Sequence, residues 1–221
     1  MAARSYGQYC GVAAAIGQVG ERWALLIVRD LLVGPRRYSD LKQGLPRIPT
    51  NILSTRLKEL QASGIVRRLP LAHGLAYALT DYGRGLEEVI LALGRWGFQA
   101  MGDPEEGDIV TADSMTMDLR TAFAADAAGR LPATVYEARV GAFVLTIRVD
   151  ESGLTVTPGA VDAADLGFAA GPGLCRIVSG ELSPEAAIAG GVVRVLRGDP
   201  ALLDRFAQTF HLGPKPLAAV G

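Results

Sequence analysis

Cysteine and histidine are scarce. Cys10 and Cys175 are the only thiols in 221 residues, so no disulfide framework is expected. Two distant histidines, His73 and His211, give no zinc-ligand spacing, and neither metal nor cofactor is expected. Long apolar runs are missing too, so no spanning helix and no membrane partner are predicted. The stretch Val12–Ile16 is too short for a secretion signal, and Gln18, Glu21 and Arg22 follow it. A cytoplasmic location is the expectation. Recognised catalytic motifs are absent: no Gly-x-Ser-x-Gly elbow, no phosphate-cradling glycine loop and no His-Glu-x-x-His. Gly171-Pro172-Gly173 reads as a turn that lacks a backbone donor, and Asp162 and Asp165 read as solvated surface carboxylates. An enzyme is not predicted. Net charge is nearly absent at −1, and with 49% hydrophobic residues this excludes an intrinsically disordered chain. The length suits one large domain or two small ones.

What is present is an asymmetry that the near-zero total conceals. Residues 1–101 hold 13 Lys and Arg against 7 Asp and Glu, a net of +6. Residues 102–221 hold 9 against 16, a net of −7. The sign changes at the polar stretch Gly102-Asp103-Pro104-Glu105-Glu106-Gly107-Asp108, which reads as a linker over 102–109. Two domains follow, 1–101 and 110–221. A basic domain in a neutral chain points to a polyanionic partner for that domain alone.

The basic half reads as short helices and one hairpin. Helices are predicted over 12–19, 22–33 and about 38–43, with a turn at Pro46-Arg47-Ile48-Pro49. A further helix spans 51–62, with Thr50 as N-cap and Gly64 as stop. Its Leu53, Leu57 and Leu60 point inward; Asn51, Ser54, Thr55 and Lys58 fall mainly on the other side, and Arg56 lies near the boundary. Two short helices, a tight turn and a polar second helix make a helix-turn-helix pattern. Between Arg36 and Arg68 stand Arg36, Arg37, Lys42, Arg47, Arg56, Lys58, Arg67 and Arg68 against Asp40 and Glu59. Residues 65–69 and 75–79 then read as a two-stranded wing with its tip at Ala72-His73-Gly74. A long helix capped by Thr80 is predicted to run to about Met101 and to be available for pairing between subunits.

Residues 9–101 resemble the HxlR-type winged-helix regulators, within the broader MarR-like group. The resemblance rests on Cys10, Gly20-Glu21-Arg22-Trp23, Leu25–Leu32, Arg36-Arg37-Tyr38-Ser39-Asp40-Leu41, Ile52–Leu60, Gly64-Ile65-Val66-Arg67-Arg68 and Tyr77–Gly83. Two departures are Glu21, where the family usually has Lys, and the short 70–74 loop. The resemblance implies a homodimeric DNA-binding transcriptional regulator, by default a repressor. Its partner would be a double-stranded, pseudo-palindromic operator with one recognition helix in each half-site. Asn51, Ser54, Thr55 and Lys58, with Thr50, are expected at the major groove, and Arg36, Arg37, Tyr38 and Ser39 at phosphates. Arg68 and His73 are the wing candidates. Arg56 stands open between a phosphate contact and an intramolecular salt bridge.

The acidic half predicts an amphipathic helix over 112–129 and a hairpin of 134–140 with 143–149. Strands at 154–158 and 166–170 and helices at 172–179 and from Pro184 follow, then a strand at 192–196 and a final helix to about Phe210. This order, and above all Gly191-Val192-Val193-Arg194-Val195-Leu196-Arg197-Gly198-Asp199-Pro200, resembles the sterol-carrier-protein type of α/β sandwich. The whole is therefore an α+β protein. The resemblance implies an apolar cavity and a small apolar effector, with Phe123, Phe143, Leu145, Leu174, Ile177, Val178, Leu182, Ile188, Leu203 and Phe206 as lining candidates. The same side chains would equally fill a core. Cys10, ahead of the first helix, is a candidate redox or electrophile sensor and equally a small packing residue. Cys175 reads as core. A lipid carrier or enzyme whose winged helix binds a protein partner is the competing class.

Overall fold

The structure, a computed structural model, describes residues 6–102 and 105–212. Asp103 and Pro104 of the expected linker, and positions 1–5 and 213–221 of the expected domains, lie outside the described residues. The chain divides into two compact units, Met1–Leu91 and Ala92–Gly221, so the division falls ahead of the expected 102–109 linker. Helices and strands are mixed in α+β fashion.

The first unit opens with α1 (Gly11–Val19) and α2 (Ala24–Val33). The expected start of α2 at residue 22 moves to Ala24 because Trp23 adopts a left-handed conformation, φ 80°. The Glu21 carbonyl accepts the Ala24 N–H at 3.0 Å, and Gly20–Trp23 becomes a turn. Next come α3 (Tyr38–Gly44) and α4 (Thr50–Ala62). Pro49 occupies the cap position of α4 and Thr50 its first turn, one residue off the expected arrangement. Ile27, Val28, Leu31, Leu41, Leu53, Leu57 and Leu60 are each at most 1% exposed and form the core of this unit. Truncating one of these leucines to Ala should cost about 2–5 kcal/mol.

The wing follows as β1 (Val66–Leu71) and β2 (Gly74–Leu79), antiparallel in register from Val66 opposite Leu79 to Leu71 opposite Gly74. The turn is tighter than expected and consists of Ala72 and His73 alone. The predicted long helix over 81–101 is instead two, α5 (Asp81–Arg84) and α6 (Glu87–Phe98). The break has a local cause. Thr80 Oγ1 accepts the Gly83 N–H at 3.0 Å and donates to the Gly64 carbonyl at 2.6 Å, which fixes a single short turn against the wing base. Gly83 lies so close to Ile65 that a Cβ there would stand 2.2 Å from the Ile65 carbonyl oxygen.

The second unit holds α7 (Ala112–Ala122) and α8 (Ala125–Ala128), which replace the single predicted helix 112–129. Strands β3 (Thr134–Val140), β4 (Phe143–Asp150), β5 (Gly153–Pro158) and β6 (Leu166–Ala170) follow. Then come α9 (Leu174–Val178), α10 (Pro184–Ala189), β7 (Val193–Gly198) and α11 (Leu202–Thr209). The five strands form one sheet in the order β5-β4-β3-β6-β7; only β3 and β6 run parallel. Alternation sends Tyr136, Ala138 and Val140 of β3, Leu145, Ile147 and Val149 of β4, and Leu166 and Phe168 of β6 to one face. Leu119, Leu174, Ile177, Leu203, Phe206 and Phe210 pack against that face. Phe206 meets Tyr136 and Phe168 edge-on, with ring centroids 5.3 and 5.4 Å apart. Among the described residues no single helix is long and apolar enough to cross a membrane.

Candidate nucleic-acid interface

Helix α4 is polar on one side for a geometric reason. At about 100° per residue, Asn51, Ser54, Thr55 and Lys58 share one arc, while Leu53, Leu57 and Leu60 occupy the opposite one. Asn51 and Lys58 are exposed; Ser54 and Thr55 are half-buried. Thr55 Oγ1 donates back to the Asn51 carbonyl at 2.9 Å, so its hydroxyl hydrogen is already engaged by the helix backbone. Thr50 is exposed at the first turn of α4. The outward arc thus combines a cation with small hydrogen-bonding side chains, the types that reach base edges and phosphates.

The approach to α4 is held by side-chain brackets. The Tyr38 hydroxyl donates to the Thr50 carbonyl at 2.8 Å and accepts from Ser54 Oγ at 3.3 Å. Tyr38, expected at a phosphate, is therefore already engaged in joining α3 to α4. Lys42 Nζ donates to the Pro46 carbonyl at 2.8 Å and pins the intervening turn. The Arg37 N–H donates to Asp40 Oδ2 at 2.8 Å, and Ser39 Oγ donates to Asp40 Oδ1 at 3.3 Å. Arg36 is tied down by its backbone. It exchanges hydrogen bonds with Tyr77 of β2 at 3.0 and 2.7 Å and adds a short third segment to the wing sheet. Its Nη1 donates to the Pro35 carbonyl at 3.0 Å. Arg68 on β1 and His73 at the wing tip are both exposed.

Arg56 resolves differently from its neighbours. It is only 9% exposed, lies about 140° around the helix from Asn51, and follows Leu53 and Leu57 inward. Its Nη1 pairs with Glu59 Oε2 and stands 3.3 Å from Glu21 Oε2. Of the two roles open to it, the side chain takes the intramolecular ion pair and is turned away from the outer arc. The Glu21 that departs from the expected Lys is one of its two acidic partners.

Residues 18–105 match the HxlR-like helix-turn-helix family. The HTH-type transcriptional regulator YvaP of Bacillus subtilis, itself named as uncharacterized, is 35% identical over 85 residues, which span 37% of this chain and 79% of YvaP. The chain belongs to the HxlR-like helix-turn-helix family. A second relative, the HTH-type transcriptional regulator Rv3095 of Mycobacterium tuberculosis, is 39% identical over 97 residues, 42% of this chain and 61% of Rv3095. This chain thus spans less than two thirds of that relative. Among solved structures, the HTH-type regulator ytcD is 34% identical, with 40% of this chain and 93% of ytcD covered at a TM-score of 0.38. The oxidized redox regulator HypR is 29% identical, with 43% and 100% covered at a TM-score of 0.39. As a member, this chain is a transcriptional regulator of HxlR type; the relatives are named as regulators and not as enzymes. The family match ends at residue 105, so the sheet of the second unit lies outside it.

In that second unit the expected cavity residues are mostly core. Leu145, Leu174, Ile177, Val178, Leu203 and Phe206 are buried in a single cluster, and Phe123, Phe143, Leu182 and Ile188 pack partly buried against it. A groove of about 750 Å³ opens instead at the rim of the sheet where β3, β6 and β7 end, and of the ten candidates it touches only Ile188. Arg139 and Arg194 line the same groove, and neither was among the expected site residues. The signal for them was strand alternation: each sits one residue out of phase with the inward-facing valines.

The two thiols differ sharply. Cys10 is exposed at the cap position of α1; its side chain makes no capping hydrogen bond, and the nearby backbone N–H groups of Ala13 and Val12 pull its pKa below the ordinary value. Burial, with the Asp118 carboxylate adding repulsion, pushes the Cys175 thiol up to about 12. Among the described residues no group of three or more His, Cys, Asp or Glu is placed to hold a metal ion.

Proposed function

We propose that this regulator binds a pseudo-palindromic DNA operator as a homodimer, by default as a repressor, and that a small ligand in its C-terminal domain adjusts that binding. The observation that carries the DNA reading is the outward arc of α4, with exposed Asn51 and Lys58 and half-buried Ser54 and Thr55, beside a wing that exposes Arg68 and His73. The dimer reading rests on exposed apolar faces. Val89, Leu93 and Trp96 of α6 recur at i, i+4 and i+7 and are 50%, 43% and 68% exposed; Val12 and Ile16 of α1 are 68% and 45% exposed. The sterol-carrier-like reading of residues 110–212 is supported by the element order from β3 onward: hairpin, two strands, two helices, strand and terminal helix. A groove at the sheet rim supports a ligand site there. The coupling between ligand and operator is bounded by the ligand's differential affinity for the two states, typically about 1–3 kcal/mol.

The test is a gel shift with the chain's own upstream region across a salt series. Salt-sensitive binding is expected from the wild type, and Lys58→Glu should abolish it while leaving the fold intact. A folded Lys58→Glu protein that binds DNA normally would favour the competing class, a winged helix that docks a protein partner. Trp96→Lys should yield a monomer with weakened operator affinity.

A second reading is favoured by the exposed Cys10 thiol at the start of α1, where the first backbone N–H groups of the helix favour the thiolate: oxidation or alkylation at Cys10 shifts operator binding. Diamide should then release the wild type from DNA and leave Cys10→Ser bound.

A further inference from the structure

The turn between α1 and α2 is built more tightly than a simple connection needs. Among the described residues Trp23 alone, glycines apart, has a positive φ, 80°. That conformation is costly for a bulky side chain and persists only where its surroundings fix it. Both sides of the turn do so. The Gly20 N–H donates to the Ile16 carbonyl at 2.8 Å, and a Cβ on Gly20 would stand 2.5 Å from that oxygen. On the other side the Trp23 carbonyl accepts the Ile27 N–H at 3.0 Å, and Ala24 is buried. Consecutive side chains on a helix do not face each other. Trp23, held outside the helix, does meet its neighbour: the Arg22 guanidinium carbon lies 5.4 Å from the centre of the Trp23 ring. The ring is half-buried and the arginine is exposed. Arg56, not Arg22, takes the nearby carboxylates of Glu21 and Glu59, so Arg22 is stacked rather than neutralised.

The place of that arginine follows from the helix beside it. At about 100° per residue around α4, Ser54 lies about 60° to one side of Asn51, while Glu59 and Arg56 lie about 80° and 140° to the other. The Tyr38 hydroxyl accepts from Ser54 and so sets the start of α3 on the first flank. Glu21, 3.3 Å from Arg56, sets the α1–α2 turn on the second. The outward arc of α4 is thus bracketed by two segments that carry cations, Arg36-Arg37 on one side and Arg22 on the other. A helix 10–12 Å across fills a major groove about 12 Å wide, so each flank meets the phosphates of one strand. We infer that Arg22 is a further DNA contact. It binds a backbone phosphate on the strand across the groove from the one met at the start of α3, and Trp23 holds it in place. A guanidinium stacked on a ring has already given up part of its rotamer freedom, so less is lost when the phosphate is bound. The inference rests on the operator binding proposed above and extends that interface to the second wall of the groove.

The experiment combines phosphate-ethylation interference with fluorescence anisotropy, on the full chain and the DNA of its own upstream region. The wild type should show two clusters of sensitive phosphates in each half-site, on opposite strands across the major groove. Arg22→Gln should erase one cluster and Arg37→Gln the other. Losing one phosphate contact in each of two half-sites should lower the slope of log K against log salt by about 1.8. The loss of affinity between about 50 and 200 mM salt should then be about twelvefold smaller for Arg22→Gln than for the wild type. Arg22→Lys, which keeps the charge, should restore the slope. A stack that serves the fold alone gives a different result: Arg22→Gln lowers the melting temperature and leaves the slope and the ethylation pattern unchanged, which overturns the inference. Loss of the same cluster in Arg22→Gln and Arg37→Gln overturns it too, because both arginines would then meet one strand. A wild type whose binding ignores salt refutes the operator reading and the inference together. Salt-sensitive binding that is weakened by Lys58→Glu and indifferent to Arg22→Gln keeps the operator reading and refutes the inference.

Discussion

Two side chains on one helix, Arg56 and Lys58, should fail in opposite ways. Arg56→Met keeps the packed stem and removes the guanidinium, which stands in a buried position against Glu21 and Glu59. Removing one partner of a fully buried pair costs about 3–5 kcal/mol, and of a surface pair about 0–1. Here the arginine side chain is 11% exposed, but its partners are 32% and 30% exposed, so water partly resolvates the carboxylates left behind. An intermediate destabilisation of about 1–2 kcal/mol is expected, with the salt dependence of DNA binding unchanged. Lys58→Met should do the reverse. The side chain is exposed, so stability should move by less than about 0.5 kcal/mol. Removing one lysine–phosphate ion pair from each of two half-sites should lower the slope of log K against log salt by about 1.8. Urea melts give the first quantity and fluorescence anisotropy of a labelled operator, from low to moderate salt, gives the second. The reasoning fails if Arg56→Met flattens the salt slope, or if Lys58→Met leaves it untouched.

Gly83→Ala and Gly198→Ala should each destabilise, by about 1–3 kcal/mol or more, because the added Cβ meets backbone that cannot swing aside. It would stand 2.2 Å from the Ile65 carbonyl oxygen in the first case and 1.9 Å from that of Asp165 in the second, where φ is also +85°; thermal melts read both, with Gly198→Ala the worse. Iodoacetamide should label Cys10 well before Cys175, with a rate that rises at lower pH than for an ordinary thiol, since its thiolate is favoured by the α1 backbone donors; equal labelling in a mass spectrum would contradict this. Burial alone would raise the Glu137 pKa, but the Val161 N–H, Arg139 and Arg197 outweigh it and hold the carboxyl below its ordinary value. A depressed folded pKa stabilises above the unfolded value and is lost as pH falls through the folded one, so acid should unfold the wild type along a limb that Glu137→Gln flattens.

Local periodicity carried most of the fold. The spacing of Leu53, Leu57 and Leu60 marked the inward side of α4, and the alternation through Leu145, Ile147 and Val149 marked the inward side of β4, because each pattern depends only on residues within one element. Periodicity misled at α5 and α6. The apolar spacing of Leu86, Ile90 and Leu93 begins at the break and carries no sign of it, and the cue was the pair Gly83 and Gly85. Partners distant in sequence were beyond reach: Arg56 stood open between two roles because Glu21 comes close to it only once α1, α2 and α4 have packed. The rim groove escaped the sequence for a different reason. A filled core and a hollow one use the same apolar residues, so Phe206 and Leu203 gave no means of telling them apart; only the packed rings do so.

The helix break bears on the proposed coupling between ligand and operator. A continuous helix from Thr80 would have carried any displacement rigidly to the wing. Instead α5 is clamped, by Thr80 on Gly64 and by Gly83 on Ile65, and α6 starts afresh at Glu87. The boundary between the compact units falls inside α6, after Leu91; beyond it Gly94 stands so near α7 that a Cβ would be 3.0 Å from the Thr121 side chain. Helix α6 therefore shares residues with both units and also carries the exposed Val89, Leu93 and Trp96 face proposed for dimer pairing. On that proposal, a ligand in the second unit would not need to move the wing at all. In the dimer proposed above, a ligand that biased where α6 lies would change operator affinity, because the spacing of the two recognition helices would be set by that pairing. A ligand that binds the two dimer arrangements equally would shift nothing, however tightly it bound.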